Sequence, residues 1–384
     1  MSLGRRVYLD HNATTPLDPR VLEEMLPFLR DDFGNPSSLH WFGQRARAAV
    51  EEARASVAAL VGAESAEIVF TASGSESDNM ALRGVAAKAT PARRGIVVTA
   101  LEHHAVLNTA KALRDEGWPV STAKARESGA LDLDDFARHV DRATALVSVM
   151  LANNETGVVQ PVADVSRMAR AAGALVHCDA VQAAGKIPID ARALGVDLLT
   201  LSAHKLYGPK GTGCLYVRRG TPMAPLVRGG GQERNRRAGT ENVAGIVGFG
   251  AAAALARQSL EEEARRIAAL RDRLEDRLLR IAGARRNGEA PRLPNTANVS
   301  FEGTEAEGLL MALDLEGIAV STGAACAAGG VEPSHVLRAM GFAPERVQAS
   351  LRLSLGRSNL EADVDRAADV IAAVVEKQRG RRVS

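Results

Sequence analysis

Short apolar runs alternate with longer amphipathic segments between about residues 60 and 220. Runs rich in Val, Ile and Leu predict strands at residues 67–70, 95–99, 145–150, 174–178 and 197–201. The segments between them are rich in Ala, Arg, Leu and Glu, which is typical of helices. This alternation predicts an α/β fold with a mostly parallel sheet covered by helices. In such sheets a ligand site lies beyond the carboxyl ends of the strands.

The pattern changes near residue 255. It then predicts a long helix, a strand and a second helix, at residues 250–281, 297–301 and 305–315. A chain of 384 residues is too long for one ordinary core. We therefore predict two domains: a large one of residues 15–255, and a smaller α+β one of residues 1–14 and 256–384 that carries a mobile loop at about residues 321–333.

Charge and composition argue against nucleic acids and membranes as binding partners of this protein. The formal net charge is +2, which gives no case for binding nucleic acid or an anionic membrane. The longest apolar stretches, such as residues 248–256, are well short of the roughly 20 residues that cross a bilayer. The N-terminus lacks a signal pattern. Three widely spaced cysteines suit reduced thiols better than disulfides or a zinc site, so we expect a cytoplasmic protein.

A carboxylate and a lysine each follow a predicted strand. Asp179 ends one run and Lys205 comes directly after the next, so both would lie in the same crevice. This pair suggests pyridoxal phosphate, because that cofactor needs an amine to hold its aldehyde and an acid to keep its ring nitrogen protonated. Lys210 is the competing lysine, but the rigid turn that follows Lys205 favours Lys205.

Small polar residues at two strand ends suggest a phosphate site. The run 73–77 lies between a predicted strand and a helix, and Gly74 and Ser75 would point backbone amides at an anion. An ordinary turn with a helix cap is the alternative reading. Ser202 and His204, on the lysine loop, would add a hydroxyl and an imidazole.

Further polar side chains in the same crevice have two readings each. Gln182 would reach the phenolic oxygen of the cofactor, or is a polar residue at a helix start. One imidazole of His103 and His104 would stack on the ring and act as a catalytic group that shuttles protons near neutral pH. Zinc is the poorer alternative, because no Cys or carboxylate has the usual ligand spacing. Asn154 would bond a substrate carboxylate or a cofactor oxygen, or belongs to a plain turn.

Three positions in the second half of the chain complete the candidate set. Arg352 lies in an alternating run at residues 350–354 and would bind a carboxylate, unless it is a solvated strand residue. The glycine-rich basic loop containing Thr240 would meet an anion or is solvated. Cys326 occupies a run of small residues and would reach a substrate held elsewhere, whereas Cys178 and Cys214 have strand-like surroundings that suit core fillers.

Together these segments resemble the pyridoxal-phosphate cysteine desulfurases of the NifS/IscS type, within the class V aminotransferase family. The resemblance runs nearly end to end. Its marks are YLDHNATTP at residues 8–16, FGNPSS at 33–38, ESDN at 76–79, NNETG at 153–157, His204-Lys205, RAGT at 237–240 and the Cys326 loop. It implies the fold type I of pyridoxal-phosphate-dependent transferases.

The resemblance also implies a role for each candidate residue. The residues that would contact the cofactor are Gly74, Ser75, His103, Asn154, Asp179, Gln182, Ser202, His204, Lys205 and, from the second subunit of a homodimer, Thr240. Lys205 would bond the aldehyde, and Asp179 would pair with the ring nitrogen. His103 is preferred over His104 for stacking, because the family pattern is Glu-His. Asn154 and Arg352 would bind the substrate carboxylate.

The reaction implied is removal of sulfur from L-cysteine, which leaves L-alanine and a persulfide on Cys326. The sulfur would pass to an iron–sulfur scaffold protein or another acceptor. Ala324 stands where family members commonly have Ser, a departure that removes no reacting group.

Other functions have weaker support. A selenocysteine lyase or a related pyridoxal-phosphate lyase or aminotransferase would share the cofactor residues, but selenium release tolerates loss of the thiol better. A catalytically inactive protein that keeps this fold only to bind a partner is another alternative. The chain retains Asp179, Lys205, Arg352 and Cys326 together, which argues against it. The glycine loop lacks the G-x-G-x-x-G spacing of a nucleotide-binding oxidoreductase.

Overall fold

A computed structural model describes residues 6–323, 326–327, 330–331 and 333–383. For residues 326–327, 330–331 and 381–383 it describes the backbone only.

Strands and helices alternate through most of the chain. The strands are β1 (Val7–Tyr8), β2 (Ile68–Thr71), β3 (Gly95–Thr99), β4 (Val120–Ala123), β5 (Thr144–Met150), β6 (Leu175–Asp179), β7 (Leu198–Ser202), β8 (Gly213–Val217), β9 (Ala284–Arg286), β10 (Thr296–Phe301), β11 (Ile318–Ala319), β12 (Cys326–Ala327), β13 (Gly330–Val331) and β14 (Ser350–Ser354). The helices are α1 (Pro19–Arg30), α2 (Trp41–Leu60), α3 (Gly74–Ala86), α4 (His104–Asp115), α5 (Leu133–His139), α6 (Val162–Ala171), α7 (Gln232–Asn235), α8 (Val243–Leu278), α9 (Ala306–Leu315), α10 (His335–Ala339), α11 (Pro344–Gln348) and α12 (Glu361–Val383).

The main sheet has seven strands in the order β2-β8-β7-β6-β5-β3-β4. β4, β3, β5, β6 and β7 pair in parallel, whereas β8 runs antiparallel to both of its neighbours. All five strands predicted between residues 60 and 220 belong to this sheet, so the α/β prediction is confirmed. β4 was not predicted because it is an edge strand with a partner on one side only, and its sequence Val-Ser-Thr-Ala is correspondingly less apolar.

A smaller unit surrounds a three-stranded antiparallel sheet of order β14-β10-β9. Its apolar cluster joins Val7 and Leu9 with buried residues between 267 and 375, and β1 pairs in parallel with β11. The division into a large domain of residues 15–255 and a small domain of residues 1–14 and 256–384 stays a prediction. The boundary near residue 255 stays a prediction, because α8 runs through it without a break.

The long helix α8 begins earlier than its sequence pattern predicted. The side chain of Asn242 accepts a hydrogen bond from the Gly245 amide and caps its first turn. By length and composition alone α8 could cross a membrane, but half of its most apolar window is buried inside the protein. It packs against α1, α2 and α12.

Candidate active site

Loops from both units meet in a cavity of about 360 Å³ at the carboxyl ends of the parallel strands. Ten of the predicted site residues line it: Gly74, Ser75, His103, Asn154, Asp179, Gln182, Ser202, His204, Lys205 and Arg352. Gly323 and His335 join them from the small unit. The strand topology therefore brings together positions that are up to 278 residues apart, counted from Gly74 to Arg352.

Lys205 follows β7 in a short 3₁₀ turn and extends its amine into the cavity. Its Nζ donates to the carbonyl oxygens of Asn12, at 2.6 Å, and Ala13, at 2.7 Å. Burial, and then the charge of Arg352, lower the pKa of Lys205 to about 8. The competing Lys210 is exposed and does not line the cavity.

Two buried carboxylates lie beneath the amine. Asp179 ends β6, and its Oδ1 accepts a hydrogen bond from the Val181 amide at 2.9 Å. Burial raises the pKa of Asp179. Asp78, on α3, is also buried, and desolvation followed by the charge of Asp179 raises its pKa. Such a pair is stabilised by a cation, which a protonated pyridine nitrogen would supply.

Asp78 was given no role by the sequence reasoning. Its position within the ESDN motif was the available signal, but its depth in the protein follows from the packing of α3 against the sheet.

The first turn of α3 provides an anion-binding surface. Ser73 caps the helix by accepting from the Glu76 amide at 3.1 Å. A Cβ placed on Gly74 would lie 3.0 Å from Cγ2 of Val181, so a glycine keeps this part of the cavity open. On the facing loop, Nδ1 of His204 lies 3.1 Å from the Thr14 hydroxyl. Burial and the charge of Lys205 lower the pKa of His204 to about 4, so its ring is neutral at pH 7.

Both predicted histidines line the cavity. Nδ1 of His103 accepts from the Ala105 amide at 3.1 Å. Desolvation in the cleft, followed by the charge of Lys205, lowers the pKa of His103 to about 4. The ring of His104 lies 4.6 Å from that of His335, centroid to centroid. The preference for His103 as the stacking residue stays a prediction.

Two amide side chains present oxygens to the cavity. Oδ1 of Asn154 and Oε1 of Gln182 are buried and have no hydrogen-bond partner among the described residues. Nε2 of Gln182 donates to the carbonyl oxygen of Asn12 at 3.0 Å. Its contact with a phenolic oxygen therefore stays a prediction, whereas the unpaired polar atoms fit a polar ligand.

Arg352 is a buried residue of β14 rather than a solvated strand arginine. Nη2 of Arg352 donates to Asp10 at 2.6 Å, and Nη1 donates to the carbonyl oxygen of Asn154 at 3.2 Å. Sequence reasoning missed Asp10 as a partner because the two residues are 342 positions apart. The guanidinium is thus held at the cavity wall, where a substrate carboxylate would share it with Asp10.

Thr240 is the predicted site residue that lies away from this cavity. It is exposed, in the loop that follows α7. That loop and the preceding helix α7 are anchored to the body of the protein: Arg237 of the loop donates to Glu76 at 2.8 Å, and buried Glu233 of α7 forms an ion pair with buried Arg54 at 2.6 Å. The loop is therefore fixed in place with Thr240 facing outward.

The structure confirms the prediction that two of the three cysteines, Cys178 and Cys214, fill the core. Cys178 in β6 and Cys214 in β8 are fully buried free thiols, and burial raises the pKa of both. The backbone of Cys326 belongs to β12, which pairs with β13. The Cys326 side chain lies outside the described residues, and the predicted mobility of the loop stays a prediction.

The aminotransferase class-V family model matches residues 7–367. This chain belongs to the class-V aminotransferase family. It is 48% identical over 375 residues to a cysteine desulfurase of Nostoc sp., which covers 97% of this chain and 94% of that protein. A cysteine desulfurase of Gluconacetobacter diazotrophicus is 50% identical over 377 residues, with the same coverage.

Solved structures agree with the family assignment. A NifS-like protein superposes with a TM-score of 0.92 at 42% identity, covering 97% of this chain and 100% of that one. The fold is thus the fold type I that the sequence predicted.

Proposed function

We infer that this protein is a pyridoxal-phosphate-dependent cysteine desulfurase. It converts L-cysteine to L-alanine and leaves the sulfur as a persulfide on an enzyme cysteine. The observation that carries this conclusion is the convergence of Lys205, Asp179 and Arg352 on one cavity, in a chain whose near-full-length relatives are cysteine desulfurases.

The residues of the cavity fit the cofactor. We propose that the Lys205 amine bonds its aldehyde and that Asp179 faces its ring nitrogen. The α3 N-terminus, Ser202 and His204 would hold its phosphate. When bound, pyridoxal phosphate supplies an electron sink that weakens the bonds at the substrate's α- and β-carbons.

The protein's own side chains orient the substrate and move protons. Arg352, held by Asp10, would receive the α-carboxylate of cysteine, with Asn154 beside it. Because its pKa is lowered to about 8, the Lys205 amine gives up and takes a proton near neutral pH, which suits proton transfer at the substrate carbons.

Cys326 is the proposed sulfur acceptor. Its thiolate would attack the sulfur of the bound cysteine, so that an S–S bond forms as the Cβ–S bond breaks. The electron pair left on Cβ takes a proton and gives the methyl group of alanine. This balance needs no external oxidant or reductant.

The first test is release of sulfide and alanine from L-cysteine in the presence of a thiol reductant. We expect equimolar products from the wild-type protein and none from Cys326→Ala, with the visible absorbance of the cofactor equal in both. Turnover that persists in Cys326→Ala would remove that residue from the mechanism. Cofactor absorbance with turnover of L-selenocysteine but not L-cysteine would favour a selenocysteine lyase.

We further propose that the enzyme is a cytoplasmic homodimer in which Thr240 completes the phosphate site of the other subunit. The exposure of Thr240, in a loop fixed by two ion pairs, supports this arrangement. So does a cluster of exposed apolar side chains that includes Phe33, Leu39 and Trp41.

We also propose an iron–sulfur scaffold protein as the acceptor of the persulfide sulfur. The support is the long Cys326 loop and the likeness to proteins named cysteine desulfurase IscS. Transfer of ³⁵S from labelled L-cysteine to such a scaffold, without free sulfide as carrier, would test this step.

A further inference from the structure

One buried carboxylate contacts both ends of the segment that carries Cys326. Glu155 is 1% exposed, and its Oε2 accepts a hydrogen bond from the Ser334 hydroxyl at 2.5 Å. Gly323 packs against the same side chain: a Cβ on Gly323 would lie 3.0 Å from Cγ and 3.1 Å from Oε2 of Glu155. These two contacts flank residues 324–333 on either side.

Glu155 is itself fixed by backbone hydrogen bonds. Its amide donates to Oδ1 of Asn153 at 2.9 Å, and its carbonyl oxygen accepts from Nδ2 of Asn298 at 3.1 Å. The carboxylate therefore projects from a rigid turn after β5 and cannot follow its partners if they move.

The C-terminal flank is attached to the cavity loops at two points. Ser334 also caps α10 by accepting from the Leu337 amide at 3.0 Å. The next residue, His335, hydrogen-bonds through Nε2 to the carbonyl oxygen of Glu102 at 2.9 Å. The start of α10 is thus held against the loops that carry Glu155 and His103.

The N-terminal flank is tied to the strand of Arg352. Ser321 and Arg352 exchange two backbone hydrogen bonds, of 3.1 and 2.7 Å. The Gly323 amide then donates to the Ser321 hydroxyl at 3.0 Å. At a φ of +83° and in contact with Glu155, position 323 admits only glycine without strain.

The number of residues between Gly323 and Cys326 limits how far the Cys326 backbone can lie from this anchor. Cys326 is the third residue after Gly323, so its backbone lies within about 10 Å of that anchor. Gly323 itself lines the cavity. The position of this anchor therefore sets which part of the cavity the thiol can reach.

We propose that Glu155 is a positioning residue for sulfur transfer, which clasps Gly323 and Ser334 so that the Cys326 thiol meets the substrate sulfur. This inference rests on the proposed desulfurase activity. Glu155 also lines the cavity and interacts electrostatically with Arg352 and His104; its proposed part in sulfur transfer is exerted through the two flanks.

The test compares two substrates on the dimeric holoenzyme. Glu155→Ala should lower kcat for L-cysteine by about 10- to 100-fold, the loss expected when a reacting group is displaced by about 1 Å. L-Selenocysteine turnover depends less on Cys326, so its kcat should fall by no more than about twofold. The Kd of L-cysteine, from the change in cofactor absorbance, should stay within about twofold of wild type.

Two further variants separate positioning from stability. Glu155→Gln keeps an oxygen that accepts from Ser334 and should restore most of the L-cysteine kcat. Glu67→Ala removes a buried carboxylate that directly precedes β2 and does not line the cavity, and it should leave the ratio of the two kcat values unchanged. If Glu155→Ala does not bind the cofactor, Ser334→Ala is used in the same test, because it removes the hydroxyl that donates to Glu155.

Equal losses for both substrates, or no loss for either, would overturn the inference while leaving the proposed function intact. Absence of L-cysteine turnover in the wild-type enzyme would overturn both.

Discussion

Lys205 and Asp179 show how the cavity changes the chemistry of ordinary side chains. Removal from water disfavours the charged form of each, so the pKa of Lys205 falls and that of Asp179 rises. Their opposite charges offset part of this cost. The result is that each group titrates closer to neutral pH than a free lysine or a free aspartate does.

The lowered pKa of Lys205 predicts how the apoenzyme takes up its cofactor. Only the neutral amine attacks an aldehyde, so the rate of reconstitution should rise as pH passes through about 8 instead of about 10.5. Growth of cofactor absorbance after mixing, measured from pH 6.5 to 10, gives the midpoint.

Nα-acetyl-lysine, whose amine is fully solvated, is the reference for that experiment. A rate that climbs in parallel with the reference up to pH 10 would show that Lys205 is not desolvated.

Lys205 and Asp179, to which we assign covalent and charge-pairing roles, could be picked out from the sequence because they end or directly follow apolar strands. The partners of other carboxylates could not. Asp10, Asp78 and Glu155 interact with residues that are distant in sequence, and no local pattern indicates which group each carboxylate will meet.

Among the elements, α8 packs closely against α2. It crosses α2 where Gly250 faces Ala53, and a Cβ on Gly250 would lie 2.5 Å from Cα and 2.6 Å from Cβ of Ala53. The two helix backbones therefore approach more closely than larger side chains allow.

Gly250→Ala should destabilise the protein. The gain in helix propensity is about 1 kcal/mol, but a clash with backbone forces the helices apart, at a cost of about 1–3 kcal/mol. Urea unfolding gives the free energy.

Gly380→Ala is the matched control, because the added methyl group in α12 meets nothing within 4 Å among the described residues. This control should gain stability from propensity alone. A stabilised Gly250→Ala variant would mean that α2 and α8 have room to separate.

The loop after α7 depends on the buried pair of Arg54 and Glu233. Glu233→Ala leaves the buried Arg54 guanidinium with half-exposed Glu51 as its remaining carboxylate partner, so we expect a loss of about 3 kcal/mol in the free energy of unfolding. Glu64→Ala, which breaks exposed ion pairs with Arg192 and Arg219, should cost no more than about 1 kcal/mol. Similar losses for the two variants would show that the Arg54 site is solvated.

At the scale of the whole molecule, the question is what completes the site. Thr240 faces away from the cavity of its own chain, while Phe33 and Leu39 are 74% and 86% exposed. Phe33 stacks on Phe42 with ring centroids 5.4 Å apart, which gives the exposed cluster a defined shape. Both features suit a surface that a second copy covers.

Active-site sharing predicts that two inactive variants complement each other. Lys205→Ala and Thr240→Arg homodimers should each be inactive. After mixing and subunit exchange, a heterodimer has one site with both substitutions and one site with neither, so L-cysteine desulfuration should recover to about a quarter of the wild-type value. Each variant subjected to exchange alone is the control. No recovery, despite heterodimers seen by native mass spectrometry, would place Thr240 and Lys205 in the same site.

The sequence by itself determined five of the seven strands of the main sheet, the family, and the candidate residues Lys205, Asp179 and Arg352. These follow from local properties: apolar periodicity marks strands, and in a parallel sheet every strand delivers its carboxyl end to one edge. Only the tertiary structure decided which groups pair. Arg352 with Asp10, Asp78 beside Asp179, and Glu155 with Ser334 are choices made by packing, because a buried charge or hydroxyl takes the partner that the fold brings within reach.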